Sequence, residues 1–258
     1  MNLTWIEFEK LFGFRGKAWP SFFTRRTEMW SHGDGTSAAD YLVSERIREF
    51  IQIEFGKLYF VSTEEHPIAV EKCERGSGFV VDPIDGSWNF LASYPTYCHA
   101  VSFVEEGSTI YFAIFNPCNQ EVLTGNKDEV FLQGKKVQSP SDVNSGLVSI
   151  MYNTHYSDSL RTSFLKVVQI IVESGLNLRI SGTPTFDLYC LLSKKVDLII
   201  NLSAHRFDAG PIIECVSKSK FAEVYFMQEL GFPRGFLAGN GYLVSNFVRK
   251  IQNEQINV

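Results

Sequence analysis

The chain has 258 residues, 45% of them hydrophobic, and a net charge of −5, so it can bury a full core and has no electrostatic drive toward nucleic acid or an anionic membrane. Its five cysteines are odd in number and show no C-x-x-C spacing, which argues for reduced thiols in a cytosol and against a disulfide framework or a zinc site. Glu7 and Glu9 spoil any signal peptide, and no apolar run approaches membrane-spanning length.

Residues 3–12 pattern as a short helix with Leu3, Ile6, Phe8, Leu11 and Phe12 roughly on one side. The basic stretch from Arg15 to Arg26 has no clean period and reads as a solvated face. His32-Gly33-Asp34-Gly35 is a loop, after which Thr36 or Ser37 caps a helix running to about Phe55, with Val43, Ile47, Phe50 and Ile51 inward. Leu58 to Val61 reads as a strand ending at Thr63-Glu64-Glu65. Ala100–Val104 and Ile110–Phe115 read as paired strands, and Glu121–Leu123 and Val130–Leu132 extend their sheet. The run from Ser139 to Gly146 is the most linker-like. It suggests one domain with two lobes, about 1–145 and 146–258. Beyond it come a strand at Leu147–Met151, a helix at Ser157–Ser174 and a strand at Leu178–Ile180. A helix then begins at Ser181-Gly182-Thr183-Pro184, followed by strands at Val196–Leu202, Val224–Phe226 and Phe236–Ala238 and a terminal helix from Leu243. This mixed order fits layered α/β or α+β packing.

The chemistry centres on Asp82-Pro83-Ile84-Asp85-Gly86-Ser87-Trp88-Asn89-Phe90, at the end of an apolar strand. Asp82, the Ile84 carbonyl and Asp85 offer hard oxygen ligands to Mg²⁺. Gly86 permits a sharp turn, Ser87 is a good helix N-cap, and the N–H groups of both offer an anion site beside the metal. Asp-Pro-x-Asp-Gly is also ordinary turn chemistry, so the stretch alone allows either reading. An EF-hand is excluded, because its ligand spacing and twelfth-position Glu are absent. The adjacent Glu64 and Glu65 repel, and burying either needs a cation. On an extended backbone neighbouring side chains face opposite sides, so Glu64 is expected to point into the site and Glu65 away.

The stretch from Asp82 to Phe90 resembles the first signature of the inositol monophosphatase family, D-P-I-D-G-[ST]-x-N-F. Thr63-Glu64-Glu65 stands where that family carries a Glu-Glu pair, and Asp34 to Asp40 looks like its D-x-x-T-x-x-D segment. His205-Arg206-Phe207-Asp208-Ala209-Gly210 looks like the start of its second signature, W-D-x-A-x-G. Arg179–Thr183 and Phe236–Asn240 match further family segments, so the resemblance spans residues 34 to about 250.

The resemblance implies a five-layer αβαβα sandwich of the inositol monophosphatase and fructose-1,6-bisphosphatase type. It implies a phosphoric monoester hydrolase using two or three Mg²⁺ ions. Glu64, Asp82 and the Ile84 carbonyl would bind a first ion, and Asp82, Asp85 and Asp208 a second. Asp34 would hold a third or its water shell. In the expected reaction a metal-polarised water gives its proton toward Glu64 with help from the Ser87 hydroxyl and attacks phosphorus in line, while Gly86 and Ser87 hold phosphoryl oxygens. Asp85, Gly182, Thr183, Asn201 and Asp208 complete the expected substrate contacts. The five histidines are expected to be structural. The expected substrate is a small polyol or sugar monophosphate, inositol monophosphate first. A 3′-phosphonucleotide, histidinol phosphate, or a non-catalytic regulatory role, for example on the transcription machinery, are the alternatives. Inhibition by Li⁺ and a homodimer also follow from the resemblance, while the expected cytoplasmic location rests on the cysteine usage. The chain departs from the family at Phe207 (usually Trp), at Pro211, at Lys218-Ser219-Lys220, and at Asn201, where inositol-specific members carry a Glu.

Overall fold

A computed structural model describes residues 3–13, 15–19, 38–139, 145–219 and 221–254. Asp34, the expected cap at Thr36 or Ser37, much of the basic stretch and the central part of the linker-like run lie outside the described residues.

Two sheets and the helices around them build five layers. Among the described residues, the first sheet runs in the order β1 (Phe60–Thr63), β2 (Ser77–Asp85), β3 (Cys98–Glu105), β4 (Ser108–Asn116), β5 (Glu121–Asn126), β6 (Val130–Leu132) and β7 (Lys135–Lys136). Only its β1–β2 pair is parallel. The second sheet has the order β11 (Glu223–Phe226), β12 (Phe236–Gly239), β10 (Leu198–Asn201), β8 (Leu147–Ile150) and β9 (Asn177–Arg179).

Strand alternation sorts the apolar side chains between layers. On β3, Val101 and Phe103 join the core under α1 (Trp5–Phe12) and α2 (Ala38–Phe55), whose Phe8, Phe12, Val43, Ile47 and Ile51 are buried. Cys98 and Ala100 of the same strand face the middle layer. That layer holds α6 (Pro184–Leu192) and α7 (Ala209–Ser217). Helix α6 is buried almost all round, as expected of a helix between two sheets. On the second sheet, Ile199 faces the middle layer, while Leu198 and Ile200 face α5 (Asp158–Glu173) and α8 (Gly241–Asn253). The strands read as near-continuous apolar runs because both faces are covered.

The helix ends follow local chemistry. Thr4 and Glu7 form a capping box, Ser157 Oγ accepts from the Leu160 N–H at 3.2 Å, and Asn240 Oδ1 accepts from Tyr242 N–H at 3.0 Å. Strand β1 lies two residues later than its sequence pattern suggests, and α3 (Val70–Arg75) is a short helix of six residues without a periodic signal. Pro211 sits in the first turn of α7, where a missing N–H costs no helix bond, so the helix forms despite it. Among the described residues no helix is long and apolar enough to cross a membrane.

Candidate active site

The site is built at the ends of β1 and β2 and at the start of α7. Because β1 and β2 run parallel with Thr63 opposite Val81, Glu64 leaves β1 beside Asp82. Asp82 and Asp85 are three residues apart, so on a regular strand they would face opposite ways. The register against β3 breaks between them: Asp82 pairs with Ala100 and Asp85 with Cys98. One extra residue on β2 resets the phase, and both carboxylates line the same cavity. Pro83 is tolerated in the strand because it falls in this bulge. Its carbonyl is engaged by Nδ1 of the buried His99, while the Ile84 side chain turns into the core.

Gly86 ends the strand with φ 94° and opens the short helix α4 (Ser87–Leu91). It is therefore Gly86, and not the expected Ser87, that occupies the N-cap position. A Cβ at Gly86 would lie 2.5 Å from Thr183 Oγ1, so the turn needs glycine for both its backbone and its space. Ser87 Oγ lies 2.7 Å from Asp40 Oδ1 and 3.0 Å from the Ile84 carbonyl, and its hydroxyl proton can serve either acceptor. Asp208 caps α7, its Oδ1 accepting from His205 N–H at 2.9 Å and Gly210 N–H at 3.3 Å.

These groups line a cavity of about 890 Å³ whose floor is acidic: Asp40, Glu64, Glu65, Asp82, Asp85 and Asp208. Burial, followed by repulsion from Glu64, Asp85 and Asp208, holds Asp82 well above the usual carboxylate range. Burial and then Asp208 raise Asp85, against the Thr185 N–H that donates to its Oδ2 at 2.5 Å. Asp208 is pushed up to about 7 by burial, against the backbone N–H groups that it caps. Glu65 also reaches about 7, through burial and then the nearby Asp40 and Glu64 charges. Two buried carboxylate oxygens, Asp82 Oδ1 and Glu65 Oε2, have no hydrogen-bond partner among the described residues. Among the described residues no three acidic, imidazole or thiol side chains converge tightly enough to chelate an ion as they stand. The chemistry of the donor set nevertheless fits a hard cation. Crowded, desolvated carboxylates with open valences are what a divalent ion relieves.

Residues 17–213 match the inositol monophosphatase family. The chain belongs to that family. It is 24% identical to the Nus factor SuhB of Buchnera aphidicola from Acyrthosiphon pisum, over 73% of this chain and 71% of that protein. It is 23% identical to inositol monophosphatase 2 of Saccharomyces cerevisiae, over 64% of this chain and 60% of that protein, so the alignment spans less than two thirds of the yeast relative. Its fold is that of the SuhB protein from Bartonella henselae, with a TM-score of 0.75 at 18% identity over 91% of this chain and 94% of that one. Inositol monophosphatase family members are phosphatases that in general depend on metal ions.

Against the family expectations, the structure brings Glu64, Asp82, Ile84, Asp85, Gly86, Ser87, Gly182 and Asp208 to one cavity. Glu65 corrects the alternation argument. The strand ends at Thr63 and the chain bends through residues 64–66, so both glutamates line the site. Thr183 and Asn201 are buried and do not line it. Thr183 Oγ1 donates to the Thr96 carbonyl at 2.8 Å, in a knot that Asn89 Nδ2 ties to the Ser181 carbonyl at 2.9 Å. Asn201 Oδ1 accepts from Ser203 N–H at 2.9 Å and so shapes the loop after β10. His155 and His205, expected to be structural, line the cavity, whereas the buried His99 serves the bulge. Sequence reasoning missed Asp40 and Thr185. Asp40 was visible as the last acid of the 34–40 segment, but Thr185 acts through its backbone N–H and leaves no sequence signal.

Proposed function

We propose that the chain is a phosphomonoesterase that hydrolyses a small polyol or sugar monophosphate, inositol monophosphate first, with Mg²⁺ as cofactor. The reading rests on the acidic floor, and above all on the buried Asp82 Oδ1 and Glu65 Oε2, which have no hydrogen-bond partner among the described residues. Asp82, Asp85 and Asp208, with Glu64, Glu65 and the Ile84 carbonyl, would hold the ions. When bound, Mg²⁺ supplies neutralisation of these carboxylates, an activated water, and stabilisation of the leaving oxygen.

The chain's own groups do the rest. The Gly86 and Ser87 N–H groups stand in the first turn of α4, where no helical carbonyl reaches them, and donate to phosphoryl oxygens. Ser87 Oγ, with its proton directed to Asp40 Oδ1, keeps lone pairs to orient a water and draw on its proton. Glu64, exposed at the cavity edge, accepts that proton. Thr185 N–H fixes the Asp85 carboxylate, and the Asn89 knot holds the 181–183 loop against α4. Li⁺ inhibition and a homodimer belong to the same proposal.

The test is phosphate release from inositol 1-phosphate, glycerol 2-phosphate, 3′-phosphoadenosine 5′-phosphate and histidinol phosphate, each with Mg²⁺ and with EDTA. Mg²⁺-dependent release led by inositol 1-phosphate is expected. Release led by another compound moves the substrate, and silence on all four overturns the catalytic reading. A second reading, a regulatory protein in the manner of a Nus factor, is favoured by the similarity to the Buchnera and Bartonella SuhB proteins.

A further inference from the structure

Beside the acidic cavity lies a second pocket, of about 290 Å³, between the first sheet, α3 and the start of α7. Val80, in its wall, stands two residues before Asp82 on the same face of β2, so the two cavities are neighbours on one sheet surface. The wall is apolar at Val80, Val104 and Phe207, which pack into one buried cluster. Thr109 breaks that pattern. The β3–β4 register shifts so that Tyr111 pairs with Phe103 but Thr109 with Val104. One extra residue on β4 thus turns Thr109 to the Val104 face. Thr109 is 3% exposed, it lines the pocket, and its Oγ1 has no hydrogen-bond partner among the described residues. Valine would fill the same space without that orphan hydroxyl. In the same wall, the buried Ser62 Oγ accepts from Ile68 N–H at 3.0 Å and keeps its own proton to donate.

The charged groups of this pocket stand at its rim. Glu74 and Arg206 are exposed, and the half-buried Glu214 is paired with Lys218 at 2.6 Å. An ionised head in the depth would find no counter-charge there, and a wholly apolar guest would leave Thr109 unpaired. A neutral hydroxyl both donates and accepts, which is what Thr109 and Ser62 leave open. The volume is that of a small ligand site. The wall also reaches the acidic floor through the chain: Phe207 directly precedes Asp208, and Gly210, in the same wall, donates its N–H to Asp208 Oδ1 at 3.3 Å. We propose that this pocket is a second ligand site, for a small apolar molecule with one neutral hydroxyl, whose occupant acts on the acidic floor through Asp208. The site does not depend on the phosphatase reading of the larger cavity; its link to a metal there does.

The experiment titrates 4-fluorophenol and fluorobenzene, which differ by the hydroxyl, and follows their fluorine resonances in the wild type, Thr109→Val and Phe207→Trp. 4-Fluorophenol is expected to saturate the wild type with a Kd on the order of a millimolar and to bind about threefold to tenfold more tightly than fluorobenzene. Thr109→Val should bring that ratio to about unity while folding at least as stably, since the hydroxyl that it removes has no partner among the described residues. Phe207→Trp, whose larger ring takes up part of the pocket, should weaken both probes by about tenfold. A wild-type ratio near unity, a ratio that survives Thr109→Val, or affinities untouched by Phe207→Trp overturns the site, and so does the absence of saturable binding. Millimolar Mg²⁺ should change the 4-fluorophenol Kd by about fivefold or more, by reciprocal linkage. An unchanged Kd in a protein whose melting temperature Mg²⁺ raises overturns the link to Asp208. With no melting shift the metal reading fails separately, and 4-fluorophenol binding to Asp208→Asn decides the link, since Asp208 does not itself line this pocket. An altered Kd in that variant upholds the link, and an equal one overturns it.

Discussion

Asp82, at the bulge within β2, and Asp197, just before β10, are both buried aspartates, 3% and 5% exposed, and the chain treats them in opposite ways. Asp197 Oδ2 accepts from Ser145 N–H and Ser145 Oγ at 2.9 Å and from Leu147 N–H at 3.2 Å, tying the start of β8 to the start of β10. Asp82 keeps Oδ1 without a partner among the described residues and faces Glu64, Asp85 and Asp208. A buried acid kept for structure is closed by donors from its own chain. An acid kept for a ligand is left open, at a cost in stability that the ligand removes.

The largest effect expected from this contrast is on turnover. Asp85→Asn should lower kcat on the best substrate by on the order of a thousandfold or more, since a charge proposed to hold the cofactor is lost. In metal-free urea unfolding the same variant should be as stable as the wild type or more so, because a repelled, desolvated charge is gone. Retained turnover would end the distinction between the two kinds of acid. Next comes ligand linkage: at a hundred times Kd, Mg²⁺ with phosphate should stabilise the wild type by about 2.7 kcal/mol. Scanning calorimetry should show that shift, and Asp82→Asn should lack it. Asp197→Asn is the reverse case. It should cost about 2 kcal/mol in urea unfolding, with kcat per folded molecule unchanged. A kcat loss at full folding would mean that Asp197 is not purely structural.

The smallest effect sharpens the comparison with a third buried acid. Asp187 accepts from Ser149 Oγ at 2.7 Å and is pushed up to about 7, above the usual 3.8, by burial. A carboxyl raised in the folded state favours folding while it is protonated. Its contribution is complete below about pH 4 and is lost as pH rises through about 7. Asp187→Asn should flatten that part of the stability–pH curve, by up to about 1 kcal/mol per pH unit. An unchanged slope would show that other groups carry it.

Most elements are legible in the sequence because apolar alternation on strands and amphipathic helical spacing survive in the folded chain, as in β3, β4, α5 and α8. The short α3 was not legible, since six residues carry too few repeats of any period. At the site, the acids were legible by type and order, and the turn chemistry of the 82–86 stretch already set Asp82 and Asp85 on one rim, which the structure achieves with a bulge. The directions of Glu64 and Glu65 were not legible, because alternation fails where the chain bends after β1. Asn201 was expected at the substrate on the family resemblance alone, and in the structure its oxygen is used by the next turn of its own chain.

The bulge has a consequence for heredity. A substitution at Pro83 or Ile84 changes a contact, whereas insertion of one residue between Asp82 and Asp85, the bulge being kept, adds a step and turns Asp85 toward the layer that holds Phe79 and Val81. Exposed loops elsewhere can gain or lose a residue with little effect on the chemistry. Between Asp82 and Asp85 an added residue therefore does more harm than a changed one.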